Sequence, residues 1–129
     1  MHPVDPDDTL THQRDEDIVK HNRTLQDQGS PVLLLAQLLA DRPDLPAATY
    51  RIDYIDPTQL SICVQRGRLD ELEAWRTALG LSGPEVHSFG ESSWVAMAGR
   101  VQDVPVELSG HASEDEVAAY VAEHVAVAA

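Results

Sequence analysis

An α+β domain is what this chain predicts, on three observations. Apolar residues recur at helical spacing in three stretches, they alternate with polar ones in two strand pairs between those stretches, and Gly, Pro and Asp cluster at the junctions. The expected order is α-β-β-α-β-β-α, an antiparallel sheet of four or five strands with the helices on one face. That domain covers residues 30–129. Residues 1–29 hold Asp5, Asp7, Asp8, Asp15, Glu16, Asp17 and Asp27 and few large apolar groups. They read as a disordered acidic arm, because such a segment buries too little to offset its ordering entropy. Ile18, Val19 and Leu25 would support a short helix from about Arg14 to Gln28, and the alternative to a mobile solvated arm is one that folds on a partner.

Ser30-Pro31 suits a helix opening, since serine caps free amides and proline fits the first turn. Val32, Leu33, Leu34, Leu35, Leu38 and Leu39 then cover more than one face, so this helix is expected to be largely buried. Pro43 and Pro46 end it. Tyr50, Ile52 and Tyr54 alternate with Arg51 and Asp53, Asp56-Pro57-Thr58 turns, and Leu60, Ile62 and Val64 alternate with Ser61, Cys63 and Gln65. This reads as an antiparallel hairpin over residues 49–65 with one buried face.

Gly67 breaks the second strand, and Leu69 to Leu79 reads as an amphipathic helix on the spacing of Leu72, Trp75 and Leu79, with Gly80 suited to its C′ position. A short extended piece, Val86 to Phe89, leads through Gly90-Glu91-Ser92 into a strand. There Trp94, Ala96 and Ala98 oppose Val95, Met97 and Val101. Gln102-Asp103 is the expected tip of a second hairpin, continued by Val104, Val106 and Leu108 and ended by Gly110. Ser113 and Glu116 match a capping box, and Val117, Tyr120, Val121, His124 and Val125 form one stripe of a last helix.

Composition narrows the function classes. The 129 residues suffice for one domain, 43% of them apolar but only 5% aromatic, so aliphatic side chains must fill the core. Acidic residues outnumber basic ones 22 to 9, a net charge of −13. Phosphate backbones are held by Lys and Arg clusters, and the one local basic group, Arg66 with Arg68, adjoins Asp70, Glu71 and Glu73. Direct nucleic-acid binding and attachment to anionic membranes are disfavoured, whereas a protein partner, self-association or mimicry of DNA fits the charge. The N-terminus has neither basic start nor apolar run, the longest apolar run is Val32 to Ala36, and Cys63 is the single cysteine, so a cytoplasmic protein without disulfides is expected.

Leu45-Pro46, Leu60-Ser61, Ala74-Trp75 with Leu79-Gly80, and the Trp94 hairpin together resemble a loose group of small uncharacterised α+β proteins from high-GC bacteria and their phages or mobile elements. The resemblance spans about Leu33 to Leu108 on core and turn positions. It implies a fold and carries no activity and no catalytic residues.

Candidate chemistry is sparse. His2, His12 and His21 are scattered through the arm, and His87, His111 and His124 lack the close ligand pairs that zinc sites show, so neither metal nor cofactor is expected. Cys63 sits mid-strand, where cysteine is more often a small packing residue than a thiolate, and no Gly-x-Ser-x-Gly elbow surrounds a serine. Glu71 with Glu73, an i, i+2 helix pair, does not converge on one point. Trp75 belongs to the core by its spacing. Trp94 opens a strand and can lie on either face; core packing is its commoner fate, but exposed beside Tyr50 or Tyr54 it would anchor a partner. The expected function is a non-enzymatic interaction or regulatory module, dimeric through a sheet edge or face, with Tyr50, Tyr54 and Trp94 as partner-binding residues. Its alternatives are an acidic DNA-mimic inhibitor and a small-molecule-binding domain or enzyme on the open sheet face, the latter requiring a pocket of several hundred cubic ångströms.

Overall fold

A computed structural model describes residues 23–124. The expectations placed on residues 1–22, with His2, His12 and His21, and on Val125 lie outside the described residues. The elements are a 3-10 turn Leu25–Gln28, α1 Gly29–Asp41, β1 Thr49–Arg51, β2 Leu60–Cys63, α2 Leu69–Leu79, β3 Glu85–Phe89, β4 Ser92–Val101, β5 Val104–Ala112 and α3 Glu114–His124. The fold is α+β, with one five-stranded sheet in the order β1-β2-β5-β4-β3 and three helices.

The sheet is mixed, which corrects the wholly antiparallel expectation. β3, β4 and β5 form an antiparallel meander and β1 pairs antiparallel with β2, but β2 and β5 run parallel, Leu60 opposite Val106 and Cys63 opposite Ser109. The cause lies in the path after β2. α2 crosses one sheet face, β3 starts at the far edge, and two tight turns bring β5 back beside β2 in the same direction. The Val64 amide donates to the Ser109 carbonyl at 3.0 Å and the Gly67 amide to the His111 carbonyl at 2.8 Å, extending that pairing beyond the strand. The piece expected at Val86–Phe89 is a full strand, so the order is α-β-β-α-β-β-β-α.

Alternation fixes which sheet face is covered. Leu60, Ile62, Val95, Met97, Val104, Val106, Leu108 and Ala112 are buried, and their neighbours along each strand are not. Leu69, Leu72, Trp75 and Leu79 of α2, Leu34 of α1, and Val117 and Tyr120 of α3 close over them in one core, so all three helices share that face. Gly110 lies inside β5 and does not end it. A Cβ there would stand 2.9 Å from Val64 Cγ2 and 3.2 Å from Leu69 Cδ2, so only glycine admits α2 at this distance.

Local signals hold at several junctions. Ser113 Oγ accepts from the Glu116 amide at 3.1 Å, and Glu116 Oε1 accepts from the Ser113 amide at 3.2 Å, a complete capping box. Gly80 is left-handed, φ 69°, and the Leu81 amide returns to the Arg76 carbonyl at 3.1 Å. Gln102 and Asp103 take φ of 51° and 66°, the twist that suits a two-residue hairpin.

Two local expectations fail. α1 begins at Gly29, continuing the 3-10 turn, with no cap bond from Ser30. β1 stops at Arg51 because Asp53 Oδ1 accepts the Ile55 amide at 3.0 Å and turns the chain, which leaves Tyr54 in the β1–β2 loop.

Candidate functional site

α1 is apolar over most of its circumference, with Ser30, Gln37 and Asp41 on one narrow side, and the described residues cover only part of it. Pro31 and Leu34 are buried, with Leu35 and Leu38 partly so against the core. Gly29, Val32, Leu33, Ala36, Leu39 and Ala40, spaced i, i+3, i+4, i+7, i+10 and i+11, share the opposite side. There Leu33 is 70% and Leu39 72% exposed. This overturns the expectation of a largely buried helix: one layer of sheet offers α1 one side only, and among the described residues no second layer lies beyond it.

Beside this face runs a groove of about 420 Å³ between the C-terminal half of α1 and the lead into β1. Leu35, Leu38, Leu39, Leu45, Tyr50 and Trp75 line it, and Arg42 is its one charged wall. Its floor is held rigidly. Trp75 Nε1 donates to the Pro46 carbonyl at 2.9 Å, and the Tyr50 ring meets the Trp75 ring edge-on, centroids 6.0 Å apart. At the other end, Gln28 Nε2 donates to the Ile52 carbonyl at 3.1 Å, which ties the start of α1 to the β1–β2 loop.

The three residues expected to bind a partner do not converge. Tyr50 pairs with Ile62 and so points to the helix side, into the groove, and is 43% exposed. Tyr54 stands in the loop and is also exposed. Trp94 pairs with His111 and His87 on the opposite, helix-free face. It is half-buried there, its ring stacked between the two imidazoles with centroids 5.5 Å from His87 and 5.4 Å from His111. Leu33 and Leu39 were missed by the sequence reading. The signal in the sequence is a largely apolar stretch without an ionisable side chain from Gln28 to Ala40, a pattern that burial and an exposed apolar face share.

The helix-free face also has a polar concavity of about 480 Å³ where the β1–β2 loop overhangs β2 and β5. Arg51, Asp53, Asp56, Cys63 and Glu107 are among its walls. Arg51 bonds Asp53 at 3.1 Å, and the carboxyl of Asp53 is held below its ordinary range, first by the Ile55 amide and then by Arg51. His124 lies on α3, stacked on Tyr120 and remote from this face. Among the described residues no three His, Cys, Asp or Glu side chains gather as a metal site would require, and no helix is long and apolar enough to cross a membrane.

A second polar cluster joins α2 to α3. The Arg76 guanidinium grips both carboxylate oxygens of Glu73, and the Tyr120 hydroxyl donates to Glu73 Oε2 at 2.9 Å. Arg76, then Tyr120, hold the Glu73 carboxyl below its usual range, while burial, then the Glu73 charge, push the Tyr120 phenol up. The Arg76–Glu73 pair lies within α2, Arg76 Nη1 also donates to the Leu81 carbonyl at 3.0 Å, and the Tyr120–Glu73 bond crosses to α3, so the cluster acts as a structural clasp. Compared with known proteins, the chain matches no family model, no curated protein and no solved structure, so its functional reading rests on this geometry alone.

Proposed function

We propose that this protein is a non-enzymatic interaction module that binds another protein surface through the outward face of α1 and the adjoining groove. One observation carries the reading: α1 leaves Leu33 and Leu39 about seven-tenths exposed beside an apolar groove floored by Tyr50 and Trp75. Fully burying one leucine favours association by roughly 1.5–3 kcal/mol, and contiguous apolar patches on monomers mark interaction sites. Tyr50 keeps the role expected of it, as an aromatic wall for a partner side chain; Tyr54 in the β1–β2 loop and Trp94 on the helix-free face lie outside this surface. Site-specific photo-cross-linking in the native host tests the reading. A photoreactive residue at Leu39 should yield a covalent protein adduct, and one at the exposed Gln65 should not. Equal yields from both positions would refute it.

A second reading is favoured by the polar concavity, whose size matches a small-molecule site. Asp53, Asp56 and Glu107 outnumber Arg51 there, so a small cation is the chemistry it suits. Titration with a diamine should shift the amide resonances of Ser61, Cys63 and Ser109 in a saturable way. Shifts spread evenly over the acidic surface would remove this reading.

A further inference from the structure

We propose that the free edge of β3 takes up an extended peptide segment of another protein as a sixth strand, with apolar residues at alternate positions and a lysine or arginine after them. This edge lies apart from α1 and does not depend on the reading given above. β3 pairs with β4 residue for residue from Glu85 to Phe89, without a bulge, and no described residue pairs with its other side. Natural edges are blunted by short strands, bulges, proline or lysine. β1, the opposite edge, is three residues long; β3 has five and none of these devices.

The backbone decides what can cover this edge. Gly90, at φ 63°, and Glu91 form the two-residue turn between β3 and β4, so Phe89 and Ser92 close the hairpin as a hydrogen-bonded pair. Alternation then commits Phe89, His87 and Glu85 to β4 and turns the amide and carbonyl of Val86 and Ser88 outward. Main-chain donors and acceptors in a row at strand spacing fit the backbone of an added strand.

Side chains give the guest its chemistry. Val86 and Ser88 stand on the helix side, opposite the buried Val95 and Ser93. There a cavity of about 400 Å³ lies between the edge and α3, lined by Val86, Val117, Ala118, Val121 and Ala122, with Glu114 its one charged wall. Antiparallel addition is the stabler pairing, and residues directly opposite each other share a sheet face. The guest residues opposite Ser88 and Val86 therefore enter the cavity and are apolar. The next one stands opposite Glu85, whose side chain is 76% exposed, and is a cation. A second copy of β3 lacks this complement. Paired about His87, it would set Glu85 against Phe89 and bring Glu85, Glu91 and Glu114 of one acidic molecule toward those of another.

Fluorescence anisotropy of a labelled pentapeptide, Phe-Val-Thr-Val-Lys with both ends capped, titrated with the full chain, tests this, and amide hydrogen exchange locates the contact. Saturable binding is expected, at least tenfold weaker for the same peptide ending in glutamate. Bound peptide should slow exchange at Val86 and Ser88 at least tenfold and leave β1 unchanged. Ser88→Pro removes an outward amide and no main-chain bond to β4, so it should weaken binding at least tenfold with unchanged circular dichroism. If that variant loses its fold, Ala118→Arg in the cavity is set against Ala119→Arg on another side of α3, and only the first should weaken binding. No saturable binding, equal affinity for the glutamate peptide, or slowed exchange at β1 instead overturns the sixth strand. So does protection of Val86 and Ser88 that grows with protein concentration alone, which would make the occupant a second copy.

Discussion

Gly110 shows how much one side chain decides. It occupies the centre of a strand, where glycine costs order and offers nothing to pack. Its gain is the close approach of Val64 and Leu69, the point where the chain leaves β2 and enters α2. Gly110→Ala should destabilise the protein by about 1–3 kcal/mol, as overpacked cores do, read as a lower midpoint in urea. Gly99→Ala meets a single side-chain end, Leu81 Cδ2 at 2.7 Å, rather than two core side chains at once, and should cost less. An equal loss at both sites would contradict the packing account. At this same scale, the Ser113–Glu116 cap and the turn at Gly80 were legible in the sequence, since both are satisfied by atoms a few residues away. The role of Gly110 was not, since its neighbours come from elsewhere in the chain.

At the scale of elements, the contact between α2 and α3 depends on ionisation. Glu73 has its carboxyl lowered by Arg76 first, so its stabilisation is present above the unfolded value of about 4.5 and is lost as pH falls through the lower folded value. Tyr120 has its phenol raised by burial first, so its contribution is complete below the unfolded value of about 10 and is lost as pH rises beyond it. Thermal stability should therefore fall on both sides, below about pH 4.5 and above about pH 10. Tyr120→Phe removes the phenol and should flatten the alkaline limb while the acid limb persists through Arg76. An alkaline limb unchanged in that variant would show that another group governs it. Helix type and span were readable for α2, whose polar and apolar sides are distinct. For α1 the extent was readable and the environment was not, because a helix apolar over most of its circumference does not say which part the fold will cover.

Across the whole molecule, positive charge is spent locally. Arg42, Arg51, Arg68 and Arg76 each bond an acid two or three residues away, Asp44, Asp53, Asp70 and Glu73, which leaves the acidic excess over the rest of the surface. Against that background Gln28 to Ala40, without an ionisable side chain, is the stretch proposed above as a contact surface, and the Leu39 photo-cross-link tests it. The polar concavity likewise exists only at this scale: Arg51 and Asp53 come from β1 and its loop, Cys63 from β2 and Glu107 from β5.

The sequence by itself determined the kinds of element, most of their limits, two helix caps and the buried side of β2 and β5, because helical and strand periodicities and cap bonds act over a few residues. Tertiary structure alone decided that β2 lies parallel to β5, that Tyr50 and Trp94 look to opposite sides of the sheet, and that α1 keeps one side bare. Those outcomes depend on where distant segments return, and a local pattern records what must be covered without recording what covers it.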